Sequence, residues 1–127
     1  MHENSTLLTR AGESLAAAKF LMEGGYPSQA ASRAYYSMLY LAHALVGKDD
    51  IPLSEESKVI AAFGGVVAAG KAGVDLHAFL IDAYALRIAA DEKCAHLLPE
   101  EAEEQISHAE EFLKLAERLI GPIPTED

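Results

Sequence analysis

The sequence predicts an all-α protein, an up-and-down antiparallel bundle of about five helices. Apolar residues recur at intervals of three and four along nearly the whole chain, which is the period of an α-helix. Ala, Leu and Glu, which are good helix formers, dominate the composition, and Thr is scarce. Glycine and proline fall in short groups between the periodic segments, so the connections are short and favour antiparallel neighbours.

The first two helices are bounded by glycine and proline. The first is predicted over about Ser5 to Glu23, because Gly24-Gly25 supplies the left-handed conformation that a helix C-terminus needs. The second begins near Pro27, whose fixed φ suits a first turn, and continues to about Val46, before Gly47.

The third and fourth helices have weaker signals at their ends. Ser54 is the candidate N-cap of the third helix, which ends by Gly70 to Gly73. Gly64-Gly65 lies inside it and weakens its centre by about 1 kcal/mol per glycine, so a kink is possible there. The fourth helix is predicted from about Val74 or Asp75 to Lys93.

The fifth helix has the clearest ends. It opens at Pro99 with acidic residues that suit the positive end of a helix dipole, runs to Ile120, and is stopped by Gly121-Pro122. We therefore expect one domain over residues 1–121 and a loose tail over residues 122–127.

The composition excludes several classes of function. Twenty acidic and ten basic residues give a formal net charge of −10, which disfavours a non-specific nucleic-acid binder, and no DNA partner is expected. No apolar run approaches the roughly 18 residues of a membrane span, and the start lacks the pattern of a signal peptide, so no membrane association is expected. The single Cys94 requires no oxidising compartment, so the sequence indicates a cytoplasmic protein.

Charge is distributed unevenly along the chain. Residues 26–47 contain one charged side chain, Arg33, whereas residues 99–127 carry nine acids and two bases. A helix that is apolar nearly all round must be covered on most sides. The second helix is therefore predicted to be the most buried element, or to face a partner as well as the core.

One face of the second helix carries the strongest candidate for a site. Steps of 4, 3, 4 and 3 place five residues on that face: Gln29, Arg33, Tyr36, Tyr40 and His43. An unpaired guanidinium group in so apolar a helix would be costly. Arg33 therefore needs an acid, a carbonyl group or a ligand anion, and arginine offers a planar two-pronged donor to phosphate or carboxylate.

The fourth helix supplies a counterpart, because Tyr84, Arg87 and Asp91 stand at steps of three and four. We expect Arg33, Tyr36, Arg87 and Asp91 to form one polar network between the second and fourth helices. One acid cannot neutralise two arginines, so the surplus positive charge would attract an anion. The alternatives are that the network only specifies packing, or that Arg87 reaches solvent along its alkyl stem.

Other chemistry-bearing residues form no specific motif. His96 follows Cys94 by two positions, but zinc sites need repeated ligand pairs. Glu104 and His108 are four residues apart, whereas a di-iron bundle needs Glu and His three apart, twice. No glycine-rich phosphate loop or nucleophile elbow is present. We expect no metal and no cofactor.

Several blocks follow one another in a distinctive order. An Ala-rich first helix leads to Gly25-Tyr26, and then come QAASRAYYSMLY at residues 29–40, SKVIAAF at 57–63 and LRIAAD at 86–91. An acidic helix closes the series. This order resembles the small stand-alone HEPN domain proteins of bacteria and archaea, over nearly the whole chain.

The resemblance implies a helical bundle that is commonly a homodimer. Relatives act beside a minimal nucleotidyltransferase, often as toxin and antitoxin. Others are metal-independent ribonucleases in which an arginine and a histidine, separated by four to six residues, meet their counterparts across the dimer cleft. After Arg87 those positions hold Glu92, Lys93 and Cys94, and His96 lies beyond them. Where this branch tends to place a histidine at the start of the third helix, this chain has Glu56.

Three functions remain open. The favoured one is a dimeric binding or regulatory module that acts with a nucleotidyltransferase-type partner or a nucleotide, with Arg33, Tyr36, Arg87 and Asp91 as the anion contacts. The second is a ribonuclease toxin acting on RNA, with Arg87 as ligand of the transition-state phosphate and His96 or a neighbour as acid and base. That reading lacks a positioned imidazole, so we lean against an enzyme. The third is a purely structural bundle.

Overall fold

The computed structural model describes the backbone of residues 2–48 and 50–122 and the side chains of residues 5–48 and 50–122. Throughout this part of the chain the regular structure is α-helical, which confirms the predicted fold class. Five helices follow one another: α1 (His2–Glu23), α2 (Pro27–Val46), α3 (Glu56–Ala68), α4 (Val74–Glu92) and α5 (Pro99–Leu119).

Most helix ends lie where glycine and proline predict them. Gly25 has φ 88° after α1, and Gly47 has φ 70° after α2, a region that side chains with a Cβ rarely adopt. Gly64-Gly65 does not interrupt α3. Residues 123–127, which make up most of the tail expected from residue 122, lie outside the described residues.

The predicted N-cap of α3 is wrong. Ser54 lies within a turn in which the Glu55 N–H donates to the carbonyl of Pro52 at 3.0 Å, so Glu55 is the N-cap and the helix begins only at Glu56. A local turn therefore takes the place of the cap that the sequence suggested.

The helix α2 is the centre of the bundle, because it contacts each of the other four helices. Eleven of its twenty residues are buried, as its lack of charge predicts. Phe63 of α3 and Phe112 of α5 meet beside it with ring centroids 5.3 Å apart. The Ser37 hydroxyl donates to the carbonyl of Ala11 at 2.8 Å and joins α2 to α1.

Side chains of α2 fix two of the connections between helices, the α4–α5 and the α2–α3 connection. Ser28 holds the α4–α5 connection, since its Oγ donates to the carbonyl of Ala95 at 3.3 Å and accepts from the Leu97 N–H at 2.9 Å. His43 holds the α2–α3 connection, with Nε2 2.7 Å from the carbonyl oxygen of Ile51. None of the described helices combines the length and apolar character that a transbilayer segment needs.

Candidate functional site

The predicted stripe on α2 exists. Between Ala30 and Ala44 every residue of α2 is buried except Arg33, Tyr36, Tyr40 and His43, which are half-buried. The fifth member, Gln29, is exposed. Spacing along the helix was therefore sufficient to identify its outward face.

Arg33 contacts neutral groups. Its Nη2 donates to the Oγ of Ser14 on α1 at 2.7 Å, and its guanidinium carbon lies 5.2 Å from the centroid of the Tyr36 ring. Among the described side chains, no carboxylate lies within 4.0 Å of its guanidinium nitrogens. The Arg33 charge is therefore held by a hydroxyl and an aromatic ring.

Arg87 is surrounded by carboxylates. Its Nη2 donates to Glu56 at 2.8 Å, its Nη1 donates to Glu92 at 2.9 Å, and its Nε lies 3.9 Å from an oxygen of Asp91. The Arg87 side chain is only 11% exposed. Its guanidinium carbon lies 5.5 Å from the same Tyr36 ring, so one ring contacts two guanidinium groups.

Glu56 is the residue that the sequence analysis missed as a ligand of Arg87. It is the first residue of α3; one oxygen accepts from the Tyr35 hydroxyl at 2.6 Å and the other accepts from Arg87. This carboxylate therefore links α2, α3 and α4. Only the family resemblance drew attention to this position, because it places a histidine where this chain has Glu56. The resemblance did not indicate which residues Glu56 would contact.

Asp91 has a serine as its main partner and not one of the two arginines of the predicted network. It accepts from the Ser32 hydroxyl at 2.8 Å, while its distance to Arg87 is too long for a hydrogen bond. Arg33 bonds to Ser14 and not to Asp91. Asp91 therefore joins α4 to α2 through a neutral hydroxyl.

These residues form one group, which we call the Arg87 cluster: Arg33, Tyr35, Tyr36, Glu56, Arg87, Asp91 and Glu92. The structure thus brings together the four predicted residues and adds three. The expected surplus of positive charge is wrong for the described residues, because the cluster holds two guanidinium groups and three carboxylates, all three of them beside Arg87. The sequence counted Asp91 alone, and Glu56 and Glu92 reverse the balance.

The cluster shifts the protonation of its members. Burial and then the hydrogen bond to Glu56 raise the pKa of the Tyr35 hydroxyl above its ordinary value. Burial opposes the charge of Arg87, but the hydrogen bond to Glu92 and the attraction of Glu56 outweigh it and raise the pKa of the guanidinium. The cluster therefore keeps Arg87 charged and Tyr35 neutral.

A groove lies beside the cluster. It has a volume of about 390 Å³ and is lined by Tyr36, Leu39, Tyr40, Leu53, Ser54 and Glu56. Two tyrosines, a serine and a carboxylate thus meet at its wall. A small molecule or a side chain of another protein could enter here next to the cluster.

His96, the weak catalytic candidate, belongs to another place. It lines a cavity of about 420 Å³ between the α1–α2 turn and the α4–α5 connection, together with Tyr26, Ser28 and Cys94. The hydrogen bonds of Arg87 within the described chain go to Glu56 and Glu92, and none goes to His96. In residues 5–48 and 50–122 no three His, Cys, Asp or Glu side chains are placed to hold a metal ion.

The fold and the cluster define an all-α bundle protein with a charged group between α2, α3 and α4. A family model of the HEPN domain matches residues 5–119. The chain is also 33% identical over 122 residues to a UPF0332 protein of Gloeobacter violaceus, an alignment that covers 94% of this chain and 97% of the relative. The chain therefore belongs to the HEPN domain family, and the resemblance seen in its sequence is confirmed.

Proposed function

We propose that the protein is a dimeric binding module that acts with a nucleotidyltransferase-type partner or a nucleotide, and that Arg33 is its principal phosphate contact. The proposal rests on one observation: no carboxylate of the described residues pairs with the charge of Arg33. Arg33 lies on the outward stripe of α2, and its contacts within the described chain are the neutral Ser14 and Tyr36. This guanidinium group can therefore donate hydrogen bonds to a phosphate oxygen without first losing a carboxylate.

The surroundings of Arg33 favour a phosphate over a diffuse anionic surface. A half-buried guanidinium is poorly screened by solvent, so one phosphate there gains more than it would on an open surface. The groove beside Tyr36 and Tyr40 gives room for the rest of a ligand and offers ring faces for a base to stack on. The net charge of −10 argues for a single phosphate contact and against a long nucleic acid.

The stripe on α2 also supports the dimer. Tyr36 and Tyr40 present aromatic rings that the chain itself covers only partly, and tyrosine and arginine are enriched in protein interfaces. A two-fold interface along α2 would place a second Arg33 opposite the first. The phosphate would then be bound by residues of both copies.

The ribonuclease alternative gains no support from the geometry. Both hydrogen-bonded Nη atoms of Arg87 are occupied by carboxylates, and no imidazole is among its described partners. General acid and base catalysis needs a proton-transfer group within about 3 Å of the reacting oxygen. We therefore propose a binding role for the site.

Titration of ATP into the purified chain tests the proposal. We expect Arg33→Ala to weaken ATP binding about tenfold, since a charge-assisted hydrogen bond is worth roughly 1.5–3 kcal/mol. Arg118→Ala is the matched control, because it removes the same charge from an exposed position on α5. Sedimentation of the wild-type chain reports the dimer. A monomer that binds no ATP, or equal ATP affinity in the wild type and Arg33→Ala, overturns the proposal.

A further inference from the structure

The carboxylates around Arg87 are held with very different firmness. The side chain of Glu56 is 20% exposed and is fixed by the Tyr35 hydroxyl as well as by Arg87. The side chain of Glu92 is 60% exposed, stands at the last residue of α4, and has Arg87 as its hydrogen-bond partner in the described chain. Glu56 is therefore a permanent counter-ion of Arg87, and Glu92 is a replaceable one.

We infer that Glu92 is an internal ligand of Arg87 and that an incoming dianionic phosphate displaces it. This inference rests on the proposed function. Glu92 leaves Nη1 for solvent, and a phosphate oxygen takes the same hydrogen bond. Glu56 stays on Nη2. Arg33 is the second cation near this site, because its guanidinium group contacts the same Tyr36 ring as that of Arg87.

Breaking the hydrogen bond between Glu92 and Arg87 costs little free energy. An exposed ion pair contributes little to stability, because solvent competes for both charges and the side chain gains freedom when it is released. Displacing Glu56 would instead leave the buried Tyr35 hydroxyl without its acceptor, which is expensive. The structure therefore singles out Glu92 among the three carboxylates.

Charge decides which ligand competes best with Glu92 for Nη1. With Glu92 in place, the described cluster holds two guanidinium groups and three carboxylates, a net charge of −1. Once Glu92 leaves, the remaining charges balance, so the ligand meets no net repulsion from the cluster. A ligand carboxylate would replace one single charge by another, whereas a terminal phosphate brings two charges and three acceptor oxygens to the guanidinium group that it contacts.

Calorimetric titration with inorganic phosphate at pH 8, where phosphate is dianionic, tests the inference. We expect Glu92→Gln to bind phosphate about fivefold more tightly than the wild type, as expected when a weak surface ion pair no longer competes. Glu104→Gln, which removes the same charge from an exposed position on α5, should change the affinity less than twofold. Both positions are exposed, and unchanged melting temperatures will show that both variants fold.

The gain must depend on Arg87. In the double variant Arg87→Ala/Glu92→Gln the fivefold gain should disappear, and acetate should show a smaller gain than phosphate. Equal phosphate affinity in the wild type and Glu92→Gln, no phosphate binding by either chain, or a gain that survives Arg87→Ala overturns the inference.

The two proposals fail separately. If Glu92→Gln tightens phosphate binding but the wild type is a monomer that binds no ATP, the role of Glu92 stands and the proposed function falls. If Arg33→Ala loses ATP binding but Glu92→Gln behaves as the wild type does, the function stands and the exchange of Glu92 falls.

Discussion

The two halves of α4 are fixed to the bundle by different chemistry. The C-terminal half is held through Arg87 and Asp91, which engage a carboxylate of α3 and a hydroxyl of α2. The N-terminal half, which we call the neutral half, makes no ion pair among the described residues and is held chiefly by the contacts of His77 with α3 and of Phe79 with α5. The same helix therefore depends on charge at one end and on shape at the other.

The N-terminal half is closely packed but incompletely hydrogen-bonded. The Nε2 of His77 donates to the carbonyl of Ile60 at 3.0 Å, and Phe79 stacks on His108 with ring centroids 3.6 Å apart. The Oε1 of Gln105 and the Nδ1 of His108 are buried and have no partner among the described residues.

The two halves of α4 are sensitive to different kinds of substitution. In the charged half, removing one partner leaves other charges uncompensated inside the protein. In the neutral half, a change of one carbon atom in a tight contact matters more than a change of charge. Three variants, taken from the largest expected effect to the smallest, separate these dependencies.

Glu56→Ala should be the most damaging. It removes the acceptor of the buried Tyr35 hydroxyl and the most buried counter-ion of Arg87, so we expect the free energy of unfolding to fall by roughly 3 kcal/mol. Urea denaturation measures it. Glu55→Ala, which breaks an exposed pair with Lys58, should cost far less, because solvent screens this pair. Equal losses in the two variants would show that the charged half has no special dependence on Glu56.

Gly64→Ala tests the neutral half. A Cβ at this position would lie 3.1 Å from Cε1 of His77, whose ring is fixed by its bond to Ile60, whereas a Cβ at Gly65 would meet nothing within 4 Å. Gly65→Ala should gain about 1 kcal/mol from helix propensity, and Gly64→Ala should lose about 1 kcal/mol through the clash. If both variants are stabilised equally in urea, the packing of His77 on α3 is looser than the contact implies.

The alkaline dependence of stability tests the charged half once more. Because burial and Glu56 raise the pKa of Tyr35 above its value of 10.0, the unfolded chain releases this proton first. Stability is therefore fully present below pH 10 and falls above it, by up to about 1.4 kcal/mol per pH unit for this group.

Tyr35→Phe should reduce that slope, and Tyr26→Phe, at an exposed position, should leave it unchanged. Tyr36, whose pKa is raised mainly by burial, maintains part of the slope in both variants. Thermal melts between pH 9 and pH 11 measure the effect. An identical slope in Tyr35→Phe and the wild type would contradict it.

The sequence was most informative where a single helix decides the geometry. The helical period placed Arg33, Tyr36 and Tyr40 on one face, and it placed Asp91 one turn from Arg87. Glycine and proline predicted most helix ends because their backbone preferences act locally.

Partners on different helices could not be predicted in this way. Ser14 for Arg33 and Glu56 for Arg87 depend on how each helix is rotated about its axis, which the packing of the whole bundle decides. Glu92 lies five residues from Arg87, outside the three- and four-residue spacings of ordinary helix pairs, and reaches it at the end of α4. The net charge of the cluster could not be predicted from the sequence, because it depends on these partners.

The position of Glu56 also has a consequence for the segment between α2 and α3. His43 holds Ile51 within that segment, and Tyr35 holds Glu56 at its far end. Residues between these two anchors can change in number while α3 still begins at the same point of the bundle. Related chains can therefore differ in length between these two anchors without displacing α3.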